Sequence, residues 1–353
     1  MQHFEECVVI VVCRNMAVLP FSRGPLLILS MLIITAFVLR AFLSVPSASS
    51  LGSRRQITML TFNIWYPSVK MQERMNALGE IVQNLKPDFL TFQEVTLDNL
   101  ALLRRQHWFD RYNVVPRHPE VEIRKHEGKH FVVILTVYPV DKWFIYPLKN
   151  SPVYHRKLVR AETKSAVSSN VRFVIATTHL VHAASNTQKR ELQLRETLKV
   201  LSGYKNVCVM GDMNINEGKF KADGEVVLPS SWSDAWLSLP GNTVSNGNTW
   251  DQSRNAFASM QSNTNTTKIN KARVDRVFCK LLDFKVKEMK IVGNESTKSG
   301  LLPSDHFGLF TIIELSSRKT QHKKTSAVSE VFFKRSPDWR KVINQQKDEK
   351  KLI

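Results

Sequence analysis

The stretch Arg74–Val95, RMNALGEIVQNLKPDFLTFQEV, decides the fold class. Met75, Leu78, Ile81, Val82 and Leu85 recur at helical spacing, and Pro87 cannot continue the helix. Asp88–Val95 (DFLTFQEV) then reads as a strand, and upstream Ile57–Asn63 (ITMLTFN) reads as another that ends on a polar residue. Working outward, Phe131–Val137 and Arg172–Leu180 read as strands, and Leu194, Leu198 and Leu201 mark a second helix closed by Gly203. Asn206–Met210 is a strand running straight into Gly211-Asp212, and Val274–Cys279, Phe284–Ile291 and Phe307–Leu315 complete the set. Strands and helices alternate without the strict repeat of a parallel barrel, so the pattern predicts a layered α/β fold.

Of the 353 residues, 43% are hydrophobic and 9% aromatic, which excludes a wholly disordered chain. Cys7, Cys13, Cys208 and Cys279 have neither zinc-site nor disulfide-framework spacing. The 50 basic and 31 acidic residues give a net charge of +19, of which +3 falls in residues 1–56, +9 in 57–315 and +7 in 316–353. A basic balance favours phosphate-bearing partners or anionic membranes and says nothing about fold.

Leu26–Val45 has 16 apolar residues in 20, long enough to span a bilayer. A signal anchor is the expected reading; a cleaved secretory signal is the rival, and a start misplaced upstream of Met31 or a buried helix remains open. The organisation expected is therefore 1–56 as an anchor-bearing segment with a short linker, 57–315 as the catalytic domain, and 316–353 as a basic, flexible tail.

Polar residues recur where the apolar strands stop: Asn63, Glu94, His179, Asp212 with Asn214, and Asp305 with His306. Singly, each has a bland reading as a turn residue, a cap or a hydrogen-bonded core histidine. Their order along the chain suits one metal-assisted phosphodiesterase site built at strand ends. The motifs Phe62-Asn63-Ile64-Trp65, Phe92-Gln93-Glu94-Val95, Gly211-Asp212-Met213-Asn214 and Ser304-Asp305-His306-Phe307-Gly308 resemble the series of the endonuclease/exonuclease/phosphatase superfamily. WSDAW at 232–236, RVDRVFCKLLDFK at 273–285 and LPSDHFGL at 302–309 point within it to the tyrosyl-DNA phosphodiesterase 2 subfamily. The resemblance implies a deoxyribonuclease I-like, four-layer α/β sandwich with two central mixed β-sheets.

Chemistry and resemblance together suggest roles. Glu94 is the expected ligand of Mg²⁺, with Mn²⁺ as its substitute, because Mg²⁺ prefers carboxylate oxygen. Asp305 is open between metal contact and structural cap, and Asn63 would orient the ligand set or hold a phosphate oxygen. The resemblance makes Asp212 the residue that activates the attacking water, Asn214 and His179 phosphate contacts, and His306 the stabiliser of developing charge, its ring fixed by Asp275. Trp250 resembles the aromatic that lines a narrow substrate channel, and Arg273 and Arg276 are expected to reach phosphates.

Three departures from the family pattern stand out. Trp65 occupies a position that is acidic in animal members, the stretch after His179 lacks the family's His-Leu-Glu-Ser, and Ile215 follows Asn214 in place of Trp. The expected substrate is a 5′-phosphotyrosyl DNA end, single-stranded or frayed, acted on by a monomer. The alternatives are a membrane-tethered phosphodiesterase for RNA or lipid head groups, and an anchored protein that merely binds nucleic acid or anionic lipid. The resemblance suggests the nucleus and Leu26–Val45 suggests a membrane.

Overall fold

A computed structural model describes residues 55–316, apart from 127–128, 150–155, 164–170, 216–227, 261–269 and 299. The apolar segment Leu26–Val45 and the basic tail lie outside the described residues; among those described, no helix is long and apolar enough to cross a membrane.

Two six-stranded mixed sheets lie at the centre of the fold. The first has the order β13 (Phe284–Val292), β14 (Gly308–Leu315), β1 (Gln56–Asn63), β2 (Phe89–Val95), β4 (Phe131–Thr136), β3 (Asn113–Val115). The second runs β5 (Val140–Pro147), β6 (Lys157–Thr163), β7 (Phe173–His179), β8 (Asn206–Asp212), β12 (Asp275–Leu281), β9 (Ser233–Asp234). A separate ribbon pairs β10 (Trp250–Asp251) with β11 (Lys271–Ala272). Each large sheet contains one parallel pair, β1 with β2 and β7 with β8, and every other pairing is antiparallel.

Alternation along the strands explains the layering. On β7, Phe173 and Ile175 face the core between the sheets, while Val174 and Ala176 face the other way; on β8, Cys208 and Met210 oppose Val207 and Val209 in the same manner. The outward set packs against Leu194, Leu198 and Leu201 of a helix, Thr187–Leu201. On the first sheet, Met75, Leu78 and Val82 of helix α1 (Met71–Leu85) join the core with Ile57, Met59 and Phe62. Both faces of the central strands are thus covered, giving the four-layer α/β sandwich. Each fully buried Leu, Ile or Phe contributes about 1.5–3 kcal/mol to holding it.

The strands read from the sequence are present with ends shifted by a residue or two; β3, β5, β6 and the two-residue strands β9, β10 and β11 were not foreseen. β5 is an edge strand with Trp143 and Phe144 exposed, so it lacks the burial pattern that announces a strand.

Gly211 belongs to the fold's tightest approach. Its φ is 149°, and a Cβ there would lie 2.1 Å from the Thr178 carbonyl oxygen on the neighbouring strand. That contact explains glycine immediately before Asp212. We expect Gly211→Ala to lower unfolding free energy by about 3 kcal/mol or more, read from the midpoint of urea denaturation. Unchanged stability would show that β7 and β8 can part without cost.

Candidate active site

The carboxyl ends of the two parallel pairs meet. Asn63 ends β1, His179 ends β7 and Asp212 ends β8, while Asp275 opens β12 directly opposite Asp212. Polar side chains displaced from the core therefore collect at one edge of the sandwich. Asn63 is buried; its Oδ1 accepts the Trp65 N–H at 3.0 Å, so its NH₂ group turns the other way. That nitrogen donates to Glu94 Oε1 at 3.2 Å in its own sheet and to Asp212 Oδ2 at 3.0 Å in the opposite one.

Glu94 reaches this point by an irregularity. The register of β2 shifts between Phe92 and Val95, and Glu94 takes a left-handed φ of 61°, which a β-bulge tolerates at a modest cost. Its backbone oxygen is held by Asn99 Nδ2, from the capping box that opens helix α2 (Leu97–Arg104). Its second carboxylate oxygen accepts the Tyr66 N–H at 2.9 Å. Between Asn63 and Tyr66 the chain is fixed by Arg74 of α1, whose buried guanidinium donates to the carbonyls of Ile64, Trp65, Pro67 and Val69. Trp65 is buried 4.7 Å from that guanidinium and packs on Phe257, so its departure from an acidic residue serves packing. Burial draws the Arg74 pKa down to about 10, and Asp305 and Glu94 support its charge.

The two site histidines have opposite electrostatics. His306 Nδ1 lies 2.8 Å from Asp275 Oδ2, and its Nε2 is 3.8 Å from Asp212 Oδ2. Burial opposes the charged ring, but Asp275, Asp305 and Asp212 outweigh it and hold His306 well above its ordinary value of 6.5. His179 Nε2 is 3.3 Å from Asp212 Oδ2, yet burial, then Arg156 and the neighbouring histidines, push it well below 6.5. Burial also raises Asp212 to about 7, with Asp275 and Glu94 adding repulsion while His306 and Asn63 oppose it. Asp305, hydrogen-bonded by Ser304 Oγ at 3.1 Å, is raised to about 7 by burial and by Glu94.

Most of the residues singled out by sequence thus converge. Asn214 abuts the cluster, its N–H donating to Asp212 Oδ1 and its amide to the Leu180 carbonyl, both contacts that close the loop after β8. Trp250 stands half-buried beside Thr249, which accepts the N–H groups of Asp275 and Phe307. Arg273 and Arg276, expected at phosphates, meet a carboxylate in this structure. Both are buried and both pair with Asp234 Oδ2, at 2.8 and 3.3 Å, while Arg276 also donates to the carbonyls of Arg273 and Ile215. Their charges hold WSDAW against RVDR instead of facing solvent. Sequence reading missed Gln93, whose Nε2 links Thr61 of the first sheet to Thr177 of the second at 3.2 and 3.1 Å. It also missed His126, His130 and Arg156 beside His179; no spacing in the chain announces them.

A model of the endonuclease/exonuclease/phosphatase family matches residues 60–306. The chain belongs to this family. It is an enzyme, a phosphodiesterase, and its sequence is similar to tyrosyl-DNA phosphodiesterase 2 of Rattus norvegicus, 25% identical over 280 residues, 76% of this chain and 70% of the rat protein. The Gallus gallus protein of the same name is 24% identical over 258 residues, 68% of this chain and 61% of that one. Among solved structures, D. rerio TDP2 complexed with single strand DNA product superimposes with a TM-score of 0.61 at 19% identity, covering 73% of this chain and 99% of that one. TDP2 from C. elegans does so with a TM-score of 0.59 at 21% identity, covering 74% and 76%.

A divalent cation of the kind this family uses fits the donor set. Asp212 and Glu94 are held around a single amide nitrogen, and Glu94 raises the proton affinity of both Asp212 and Asp305. Such a negative, oxygen-rich field suits a hard ion. Asp212, Asp275 and His306 also lie within metal-binding reach of one another. The charge favoured on His306 leaves no ring lone pair, so the carboxylate side by Glu94 is the better match.

The raised Asp212 pKa has a stability consequence. The native carboxyl holds its proton more tightly than an unfolded one at 3.8, so its ionisation costs stability as pH rises from about 4 to about 7. In EDTA at pH 8, Asp212→Asn is expected to be more stable than the parent by about 2 kcal/mol, an advantage that vanishes at pH 4. Equal stability at pH 8 would contradict the buried charge. Asp275→Asn removes the main support of the His306 proton, so the alkaline limb of the pH–rate profile should move to lower pH, with kcat down about 10²-fold or more.

Proposed function

We propose that residues 57–315 form a metal-assisted phosphodiesterase domain that hydrolyses 5′-phosphotyrosyl ends of DNA, removing protein adducts in DNA repair. The observation that carries this reading is the convergence of Glu94, Asp212, His179 and the Asp275–His306 pair around the Asn63 amide. Similarity to proteins named for tyrosyl-DNA hydrolysis, and to a fold solved with a single-strand DNA product, supports the substrate.

Glu94 would hold the cation, Mg²⁺ or in its place Mn²⁺, with Asp305 nearby. When bound, the ion supplies charge neutralisation on the phosphoryl oxygens. Asp212, ionised, orients a water in line with the scissile bond and accepts its proton as the oxygen attacks phosphorus. Asn63 keeps that carboxylate in place from the opposite sheet. His306, charged and braced by Asp275, offers its Nε2 proton to the phosphoryl oxygen on which negative charge grows. His179 adds a neutral ring beside Asp212, its Nε2 facing the reacting centre. The bond from phosphorus to the phenolic oxygen breaks, and a tyrosine phenolate of pKa about 10 leaves with little need of an acid. Products are tyrosine and a 5′-phosphate.

The apolar segment Leu26–Val45 favours a second reading, in which the same chemistry acts at a membrane on RNA or lipid head groups. One substrate panel separates the two. The full chain with Mg²⁺ should release tyrosine from a 5′-tyrosyl oligonucleotide, lose that activity in EDTA, and drop at least about 100-fold on Glu94→Gln. Turnover of sphingomyelin with no release from the oligonucleotide would transfer the case to the second reading.

A further inference from the structure

His179 also forms part of the wall of a cleft lined by His126, His130, Phe131, Val132, Arg156 and Lys157. Among the described residues, no carboxylate lines it. Lys157 Nζ lies 3.3 Å from Glu122 Oε2, and the guanidinium-bearing side chain of Arg156 is buried at 5% exposure. The cleft has room for about one water-sized group, about 10 Å³, and is partly open to solvent. The ring of His130, in the cleft wall, is stacked on Tyr66 at 5.6 Å and lies 6.1 Å from that of His179. Tyr66 in turn holds Glu94 through its N–H.

His179 supplies the observation that points to a ligand. One ring nitrogen, Nε2, faces Asp212 at 3.3 Å. The other, Nδ1, is buried and has no hydrogen-bond partner among the described residues, although the residue is 95% buried and forms part of the cleft wall. A buried ring nitrogen is rarely left unpaired in a native protein without a ligand or ordered water to meet it. The field there is positive, because after burial it is Arg156 that most depresses the proton affinity of both His130 and His179. Planar guanidinium and imidazole donors around a small, open cleft match a phosphoryl oxygen inserted from outside.

We propose that this cleft is a second phosphate subsite, in which Arg156, His130 and the Nδ1 edge of His179 hold the oxyanion of the phosphate next to the one being cleaved. The proposal rests on the function given above and deepens it: the enzyme selects substrates that carry a neighbouring phosphate, a requirement that a lone lipid phosphodiester does not meet. An anion that accepts the Nδ1 proton also fixes the tautomer of His179, leaving Nε2 as an acceptor toward the reacting centre.

The test uses the full chain with Mg²⁺ and nitrophenyl esters at the 5′ position: thymidine 5′-(4-nitrophenyl phosphate), its 3′-phosphate, the corresponding dinucleotide, and that dinucleotide with an uncharged methylphosphonate linkage. A charge-assisted contact predicts that kcat/KM rises about tenfold when the neighbouring phosphate is present and returns to the mononucleotide level with methylphosphonate. Arg156→Gln should compress that ratio to less than about twofold. A larger gain with the 3′-phosphate assigns the cleft to a terminal phosphate, and a larger gain with the dinucleotide to a chain phosphate. Equal rates for charged and uncharged linkages overturn the subsite, with no protein variant needed to read the result. Hydrolysis of none of these esters overturns the parent function instead.

Discussion

A single amide nitrogen joins the two halves of this site. Asn63 Nδ2 donates to Glu94 in one sheet and to Asp212 in the other, and it points there because Trp65 occupies the amide oxygen. Two carboxylates this close repel one another, and burial makes their charges more expensive still. The arrangement persists because the surroundings hold it. Arg74 clamps the carbonyls after β1, the bulge at Glu94 is braced by Asn99, and Gln93 stitches the sheets one layer below. What remains is an excess of negative charge in a confined space, the condition under which a divalent cation binds and under which a carboxylate becomes a base near neutral pH.

The same surroundings divide the labour between two histidines. His306 lies among Asp275, Asp305 and Asp212 and is held charged; His179 shares Asp212 with it but backs onto Arg156 and His130 and is held neutral. Both rings are buried, so exposure does not distinguish them. The sign of the nearest charge does. A charged ring and a neutral one beside one carboxylate take different parts in the chemistry, and the geometry makes them non-interchangeable.

Much of this was legible because the chemistry sits where apolar strands end. A strand must stop on something polar as it leaves the core, and the order Asn63, Glu94, His179, Asp212, Asp275, His306 survives as spatial neighbours since the strands carrying them are adjacent. Charge was less readable than position. Arg273 and Arg276 looked like phosphate ligands, yet Asp234 across the sheet captures both, and nothing local to RVDR reveals that partner. Trp65 looked like a loss at the metal and proves to be the stacking partner of Arg74. The edge strand β5 escaped notice because its aromatics face solvent.

The sequence by itself determined the layered α/β class, the motif order and the identity of the central carboxylates and histidines, because periodicity and strand ends are local properties of a chain. Only the tertiary structure decided which charges meet. The bridging amide of Asn63, the opposite protonation of His179 and His306, the capture of two arginines by Asp234 and the cleft at His179 all arise between residues distant along the chain. Electrostatic energy depends on separation and burial, and neither quantity exists until the sheets have packed.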